Sequence, residues 1–487
     1  MNKITEAIEN AIPTIRIKKA TLKKFRNVGK GDITFNCGKQ FVPSNTESDI
    51  LGIYGQNGSG KTAFIEALSI LKDLMSGLKL EEECVDCIAI DEKYAELEFV
   101  FEIQYPDGKT IREVTYSFCI GRRDATEDEI KEKYKNDSEG MAFAEQEKRI
   151  KVFNEKISVY EKKDVNGKFS RKQSIDTSSE ELPFSPGTIL KKLIGGKEAD
   201  DKNIIVLEVN KQNAVNDSRS FLFMKETFSV FENHEKDCIF YDVLNELHNF
   251  AKLFLFVLPT NSSGLIRLNW AIPIYTRFGH FEFYTNRPKT ILEKYYTAIN
   301  EVVNNISIVL EQLVPGLTIK IKSLYEFDGN GEGKKYNVML VANRDGKELP
   351  IRDESDGVRR IISILSLISA VFNQKSTTVA IDEFDAGVFE YLLGEILQII
   401  EESGKGQFIF TSHNLRPLEV IDKKFLCFTT TNPKKRFYRF VNIAATNNLR
   451  DTYFREILMN EQKEKLYNRT KRFKIVSALR KVGGGFE

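Results

Sequence analysis

Eight residues near the start of the chain have the spacing of a phosphate cradle: Gly55-Gln56-Asn57-Gly58-Ser59-Gly60-Lys61-Thr62, a G-x-x-x-x-G-K-[ST] pattern. Its glycines let the backbone curl so that successive N–H groups point inward at anionic oxygens. Lys61 has the reach to meet β- and γ-phosphates, and the Thr62 hydroxyl suits Mg²⁺. Far downstream, Thr377-Thr378-Val379-Ala380-Ile381 leads into Asp382-Glu383. A short β-branched run ending in two carboxylates predicts a buried parallel strand with Asp382 and Glu383 at its carboxyl end. Asp382 is then placed to hold the Mg²⁺ shell, and Glu383 to polarise a water for attack on a γ-phosphate.

These groups need elements to hold them. Ile50-Leu51-Gly52-Ile53-Tyr54 predicts a strand before the glycine loop. Phe64, Ala67, Leu68, Leu71 and Met75 recur at helical spacing after it, with Gly77 as the stop. The positive end of that helix adds to the cradle. Upstream of the acidic pair, Glu354-Ser355-Asp356-Gly357-Val358-Arg359-Arg360 opens a long apolar helix, so the Ser355 hydroxyl and the Gly357 N–H stand at its positive end. Asp385 follows the acidic pair at once. A further strand, Gln407-Phe408-Ile409-Phe410, ends in Thr411-Ser412-His413-Asn414, which places His413 to sense a γ-phosphate.

In this order the residues carry a family. The chain resembles the ABC-type ATPase heads of the SMC, RecF and OLD-like groups over residues 14–120 and 315–430. Residues 55–62 look like the Walker A loop, Asp382-Glu383 like Walker B, Ser355-x-Gly357 like a degenerate signature, Asp385 like the D-loop position and His413 like the switch histidine. The usual Leu-Ser-Gly-Gly of the signature is here Glu354-Ser355-Asp356-Gly357. The run from Ile17 into Phe25-Arg26-Asn27 is similar to the first strand of such heads, which implies that Arg26 approaches the nucleotide. Gln104 is one candidate for the Q-loop, the alternative being the edge of a turn at Pro106-Asp107-Gly108. The resemblance implies an α/β P-loop head with a mixed central sheet, an antiparallel β subdomain and an inserted α+β lobe. It also implies ATP and Mg²⁺ as ligands, and a homodimer or higher homo-oligomer in which Ser355 and Gly357 of one subunit meet the ATP on Lys61 and Thr62 of the other.

Composition bounds the rest. At 487 residues the chain predicts two or three domains, and 41% hydrophobic with 29% charged residues fits a globular protein with a real core. A formal charge of +1 supplies no global field for nucleic acid. The longest apolar run, 361–372, is too short and serine-interrupted to span a bilayer, and the first residues lack a signal peptide's apolar centre. The expectation is a cytoplasmic protein. Six cysteines are no disulfide framework in so long a chain, and Cys84-x-x-Cys87 reads as two buried thiols.

The expected division is 1–120 (first half of the head), 121–314 (inserted lobe), 315–430 (second half) and 431–487 (basic extension). Alternation across 92–120 predicts an antiparallel pair. Residues 126–150 predict a charged surface helix, Asn166-Gly167 a tight hairpin between 157–160 and 169–172, and the phenylalanines of 221–260 a helical core. Residues 289–313 predict an amphipathic helix closed by Pro315-Gly316, followed by an antiparallel pair at 317–327 and 336–343. Without sustained heptads no coiled-coil arm is expected. The roughly seventy residues after His413 leave no room for a Toprim domain, so an ATPase without its own nuclease is expected. Residues 463–481 carry eight basic residues and one acidic one, which predicts either a docking amphipathic helix or a phosphate-binding patch for nucleic acid. The resemblance extends to ATPase subunits of abortive-infection systems, implying a defence ATPase that controls a separate effector, such as a Toprim or HNH nuclease. A RecF-like DNA-clamping repair ATPase and a nucleotide-gated scaffold with negligible turnover are the alternatives.

Overall fold

The computed structural model describes residues 12–483 apart from 36–48, 127–128, 131–147, 165–166, 171, 197–200, 233, 237, 261–270, 277–278, 329–332, 441–447, 460–463 and 468–470. Strands β1 (Thr14–Phe25), β2 (Val28–Thr34) and β3 (Asp49–Tyr54) precede helix α1 (Lys61–Met75). Then come β4 (Tyr94–Gln104), β5 (Ile111–Asp124), β6 (Lys148–Lys162) and β7 (Gln173–Asp176), the helices α2 (Asp201–Asn216), α3 (Lys225–Phe231) and α4 (Ile239–Leu253), and β8 (Leu255–Leu258). The hairpin β9 (Ala271–Thr276) and β10 (Gly279–Tyr284) is followed by β11 (Lys289–Leu292), α5 (Glu293–Leu313), β12 (Leu317–Asp328), β13 (Lys334–Arg344) and β14 (Lys347–Pro350). Helix α6 (Asp356–Asn373), β15 (Thr378–Ile381), α7 (Glu390–Ser403), β16 (Gln407–Thr411), β17 (Leu426–Thr429), β18 (Phe437–Tyr438) and α8 (Arg472–Gly483) complete the main elements.

The sheet that matters for chemistry has the order β18-β17-β3-β16-β15-β8. β17, β3, β16, β15 and β8 run parallel, and β18 pairs antiparallel at the edge. Every residue of β3, β15 and β16 is buried, as both faces of a parallel sheet must be. Alternation then assigns each side chain to one of two cores. Leu51, Ile53, Ala380 and Ile409 enter the core shared with the antiparallel sheet β2-β1-β4-β5-β6-β7. Ile50, Tyr54, Val379, Ile381, Phe408 and Phe410 enter the core under α5, α6, α7 and the sheet β11-β13-β12. Gln407 bolts the two large sheets together: its buried amide accepts from Ile17 N and donates to Ile17 O and Asp49 Oδ2, each at 2.8 Å.

The register carries the functional consequence. Ile53 lies beside Thr411, and Ile381 beside Phe410. Residues 55–62 therefore leave the sheet at the same edge as 382–385 and 412–414, more than three hundred positions downstream, at the carboxyl ends of β3, β15 and β16, where open α/β sheets bind ligands.

Several expectations hold. The 92–120 pair is β4–β5, joined at Pro106-Asp107-Gly108, with Asp107 accepting from Lys109 N and Thr110 N. The pair at 317–327 and 336–343 is β12–β13. Phe221, Phe223, Phe231, Phe240 and Phe250 are core. Others need correcting. Of the predicted surface helix at 126–150, most lies outside the described residues, and its last three residues already belong to β6. Asn166 also lies outside them. β6 does turn back onto β7, but the second strand begins at Gln173 rather than Phe169, and Ser170 N to Glu161 O (2.7 Å) with Glu161 N to Ser170 Oγ (3.0 Å) extends the contact toward the turn. Residues 289–292 are strand β11 rather than helix, because they complete the sheet beside β13. The stretch between the head segments also returns to the central sheet: β8 pairs with β15, a four-residue apolar run too short to stand out by periodicity. No described helix is long and apolar enough to cross a membrane.

Candidate nucleotide site

Residues 55–60 bridge β3 and α1 by a loop that only glycine can build. Gly55, Gly58 and Gly60 have φ of 154°, 72° and 97°. A Cβ on Gly55 would lie 1.7 Å from Thr429 Oγ1, whereas one on Gly58 would meet nothing, so the first glycine serves packing and the second faces open space. Ser59 is buried, its N–H donating to Gln56 O (3.1 Å) and its hydroxyl paired with Thr429. Thr429 in turn donates to Tyr54 O (3.2 Å), so the end of β17 clamps the loop. Helix α1 begins with no side-chain cap and no acidic residue in its first turn, which leaves its N–H groups and positive end directed at the cradle. Lys61 is 6% exposed, and Nζ donates to Gly55 O (2.8 Å) and Gln56 O (3.3 Å). Burial pulls the Lys61 ammonium down from its ordinary value, while Asp382, Glu383 and Asp385 pull it back up. The cation thus faces the carboxylates from the distant half of the chain.

Asp382 is 2% exposed. Its carboxylate accepts from the hydroxyls of Thr260 and Thr411, and Thr411 Oγ1 also accepts from Glu383 N (2.8 Å). Glu383 has φ 48°, the left-handed region, which turns its side chain away from the strand line. It lines a cavity of about 260 Å³ together with Asn57, Asp385, Ala386 and His413. Asp385 Oδ2 accepts from His413 N (3.1 Å) and Asn414 N (3.0 Å), which sets the segment carrying the exposed imidazole.

A second cavity, about 640 Å³, opens on the other side of the cradle and is lined by Gly58, Gly60, Lys61, Thr62, Arg26 and Asp86, among others. Arg26 is beside the cradle, but its guanidinium forks onto Glu66 of α1 (2.9 and 2.8 Å) and donates to Asp86 O (3.2 Å). Cys87, which is buried, accepts from Arg26 N through its carbonyl, at 2.6 Å. Cys84 is half-buried, and contact with the Cys87 thiol, then burial, push its own thiol up; both are free. Gln104 sits far from the cradle, at the end of β4 that pairs with Thr14, where its amide donates to Glu102.

Ser355 and Gly357 line neither cavity. Ser355 is the exposed cap of α6, accepting from Val358 N at 3.3 Å. Gly357 packs against Gly387 in the same chain, where a Cβ would lie 2.9 Å from Gly387 O. The structure therefore brings together Asn57, Lys61, Asp382, Glu383, Asp385 and His413, and leaves Ser355 facing outward. Sequence reasoning missed Thr411, Thr429, Thr260 and Arg360. Thr411 had a signal: in parallel register it stands beside the acidic pair. Thr260 and Thr429 had none, being placed by β8 and β17.

The chain matches the AAA ATPase domain family over residues 16–416. The chain belongs to that family. Its P-loop head joins a mixed central sheet to an antiparallel sheet and inserted helices. No curated protein matches its sequence. Among solved structures it is similar to an Smc head bound to the C-terminal winged-helix domain of ScpA: 14% identity, TM-score 0.41, 88% of this chain and 98% of that one. It is also similar to the SMC head domain from Thermotoga maritima: 15% identity, TM-score 0.35, 88% and 99% coverage. A third is the recombination mediator RecF-ATP of the RecFOR pathway: 13% identity, TM-score 0.32, 88% and 100% coverage. These values describe distant likenesses.

Proposed function

We propose that this AAA ATPase chain hydrolyses ATP, that two copies close around ATP and open on hydrolysis, and that this cycle controls a separate effector in anti-phage defence. The cavity in which Asn57 of the cradle faces Glu383, Asp385 and His413 carries the reading. The cradle N–H groups and Lys61 bind the triphosphate, Glu383 accepts a proton from the attacking water, and Asp385 holds His413 at the cavity's rim. Catalysis is by positioning and charge stabilisation.

The donor set fits Mg²⁺. The Thr62 hydroxyl in the cradle cavity and the Asp382 carboxylate at the end of β15, oriented by two threonine hydroxyls, are hard oxygen donors. Bound there, the ion neutralises charge on the phosphate oxygens. Ser355, exposed at the start of α6, can meet the nucleotide of the other copy, with Gly357 packed on Gly387 two residues further on. The defence role and the effector rest on the family resemblance alone.

One test decides the cycle. Light scattering of Glu383→Gln is expected to show a dimer with ATP and Mg²⁺ and a monomer without nucleotide. A mass unchanged by ATP overturns the closing reaction. Co-purification from the native operon identifies the effector.

A second reading, a DNA clamp, is favoured by α8. Among its described side chains, Arg472, Phe473, Lys474, Ile475, Val476 and Leu479 are all exposed. ATP-dependent DNA binding that weakens steeply with salt and is lost with Lys471, Arg472 and Lys474 mutated to Ala supports it.

A further inference from the structure

Helix α6 starts at Ser355, the residue offered to the other copy's nucleotide, and one turn later buries an arginine. Arg360 is 8% exposed. Its guanidinium does not seek a carboxylate oxygen. It donates to two backbone carbonyls, Glu383 O at 2.6 Å and Asp382 O at 3.2 Å. Its Nε is buried with no partner among the described residues. The turn it grips is the one with Glu383 in the left-handed region, a conformation that persists only where surroundings impose it. Thr411 holds the N–H of Glu383, and Arg360 holds its C=O. A second contact joins the same two segments, since Gly387 closes the acidic turn directly against Gly357 in the first turn of α6. The opening of α6 thus touches the catalytic turn at both ends of that turn.

We propose that Arg360 is a positioning residue that ties the helix presenting Ser355 and Gly357 to the turn carrying Glu383 in the same chain, so that contact with the other copy's nucleotide sets this copy's own base. The proposal rests on the ATP-closed dimer of the preceding reading. In such a dimer, α6 of one copy meets one ATP while Glu383 of that copy acts on the other, so Arg360 links the two sites. A rigid link of this kind makes hydrolysis cooperative. Burial pushes the Arg360 guanidinium down, and the neighbouring Glu383, Asp385 and Asp382 charges raise it again, as befits a cation held in place by geometry.

The test measures ATP affinity, turnover, Hill coefficient and melting temperature for wild type, Arg360→Ala and Arg360→Lys. Wild type is expected to turn over ATP with a Hill coefficient above 1. Arg360→Ala should bind ATP within about twofold of wild type, lose roughly tenfold or more in kcat and show a Hill coefficient near 1. Arg360→Lys, whose ammonium keeps donors for these carbonyls on a shorter side chain without the planar fork, should recover part of kcat. A non-cooperative wild type, an Arg360→Ala protein that remains cooperative, or a loss explained wholly by less folded protein overturns the proposal. Should Arg360→Ala fail to fold, Arg360→Met, which keeps the bulk of the stem and removes the donors, decides, and wild-type kcat and cooperativity in it overturn the link. ATP turnover that survives Glu383→Gln sinks the functional reading itself, whereas a failure confined to the Arg360 variants sinks only this inference.

Discussion

The parallel sheet and the antiparallel sheet both bury charge, and they treat it in opposite ways. In the antiparallel region Glu155 is 1% exposed, and its carboxylate accepts from Tyr116 Oη (2.7 Å), the Ser220 hydroxyl and Phe221 N (2.7 Å). Ser220 also accepts from Phe223 N (3.2 Å), so the carboxylate is locked into the surrounding backbone. At the carboxyl ends of β3, β15 and β16, Lys61 rests on loop carbonyls, Arg360 holds an unpartnered Nε, and Asp385 Oδ1 is buried without a partner among the described residues. Unfinished hydrogen bonding is costly where it serves only the fold. Asp385 lines the cavity beside Glu383 and His413 with one carboxylate oxygen left for a ligand's donor, whereas three donors close the Glu155 carboxylate.

Substitutions can break this contrast, and the largest effect is expected at the base. Glu383→Gln should retain ATP binding while kcat falls by about 10²–10⁴ in steady-state assays. A wild-type rate would remove Glu383 from the chemistry. Lys61→Ala follows, with ATP affinity by calorimetry expected to weaken at least about a hundredfold and the melting temperature little changed. On the other side of the comparison, Glu155→Ala should cost about 3 kcal/mol in denaturant unfolding, because three donors lose their acceptor, and leave turnover per folded molecule unchanged. A catalytic defect there would erase the distinction.

The smallest effect sharpens it. Glu246 on α4 accepts from Tyr105 Oη (2.7 Å) and lies 4.0 Å from Arg112, tying α4 to the β4–β5 turn. Burial pushes its carboxyl up to about 7, against the pull of Tyr105 and Arg112. The folded state therefore holds this proton more tightly than the unfolded chain, so its stabilisation is complete below about pH 4.5 and is lost as pH rises through 7. Melting temperature should decline across that window by the equivalent of about 2–3 kcal/mol, and Glu246→Gln should flatten the decline.

Much of the site was legible because its chemistry is local. A glycine loop needs particular residues at particular spacings, and a strand ending in two carboxylates shows in a run of seven letters. The threonines around Asp382 and Ser59 were not legible, since a threonine hydroxyl acquires its role only from the strand that happens to lie beside it. Strand β8 was hidden for a similar reason: four apolar residues carry no period, and only pairing with β15 makes them a strand.

By itself, then, the order of amino acids determined which residues have the spacing of a phosphate cradle, where two carboxylates end a strand and which elements flank them, because those properties reside in side-chain chemistry and short-range periodicity. Only the folded chain decided that residues 55–62, 382–385 and 413 share one edge, that Arg26 spends its charge on Glu66, and that Arg360 grips the turn of Glu383. Parallel pairing joins segments hundreds of positions apart, and nothing in the spacing along the chain reports a distance through space.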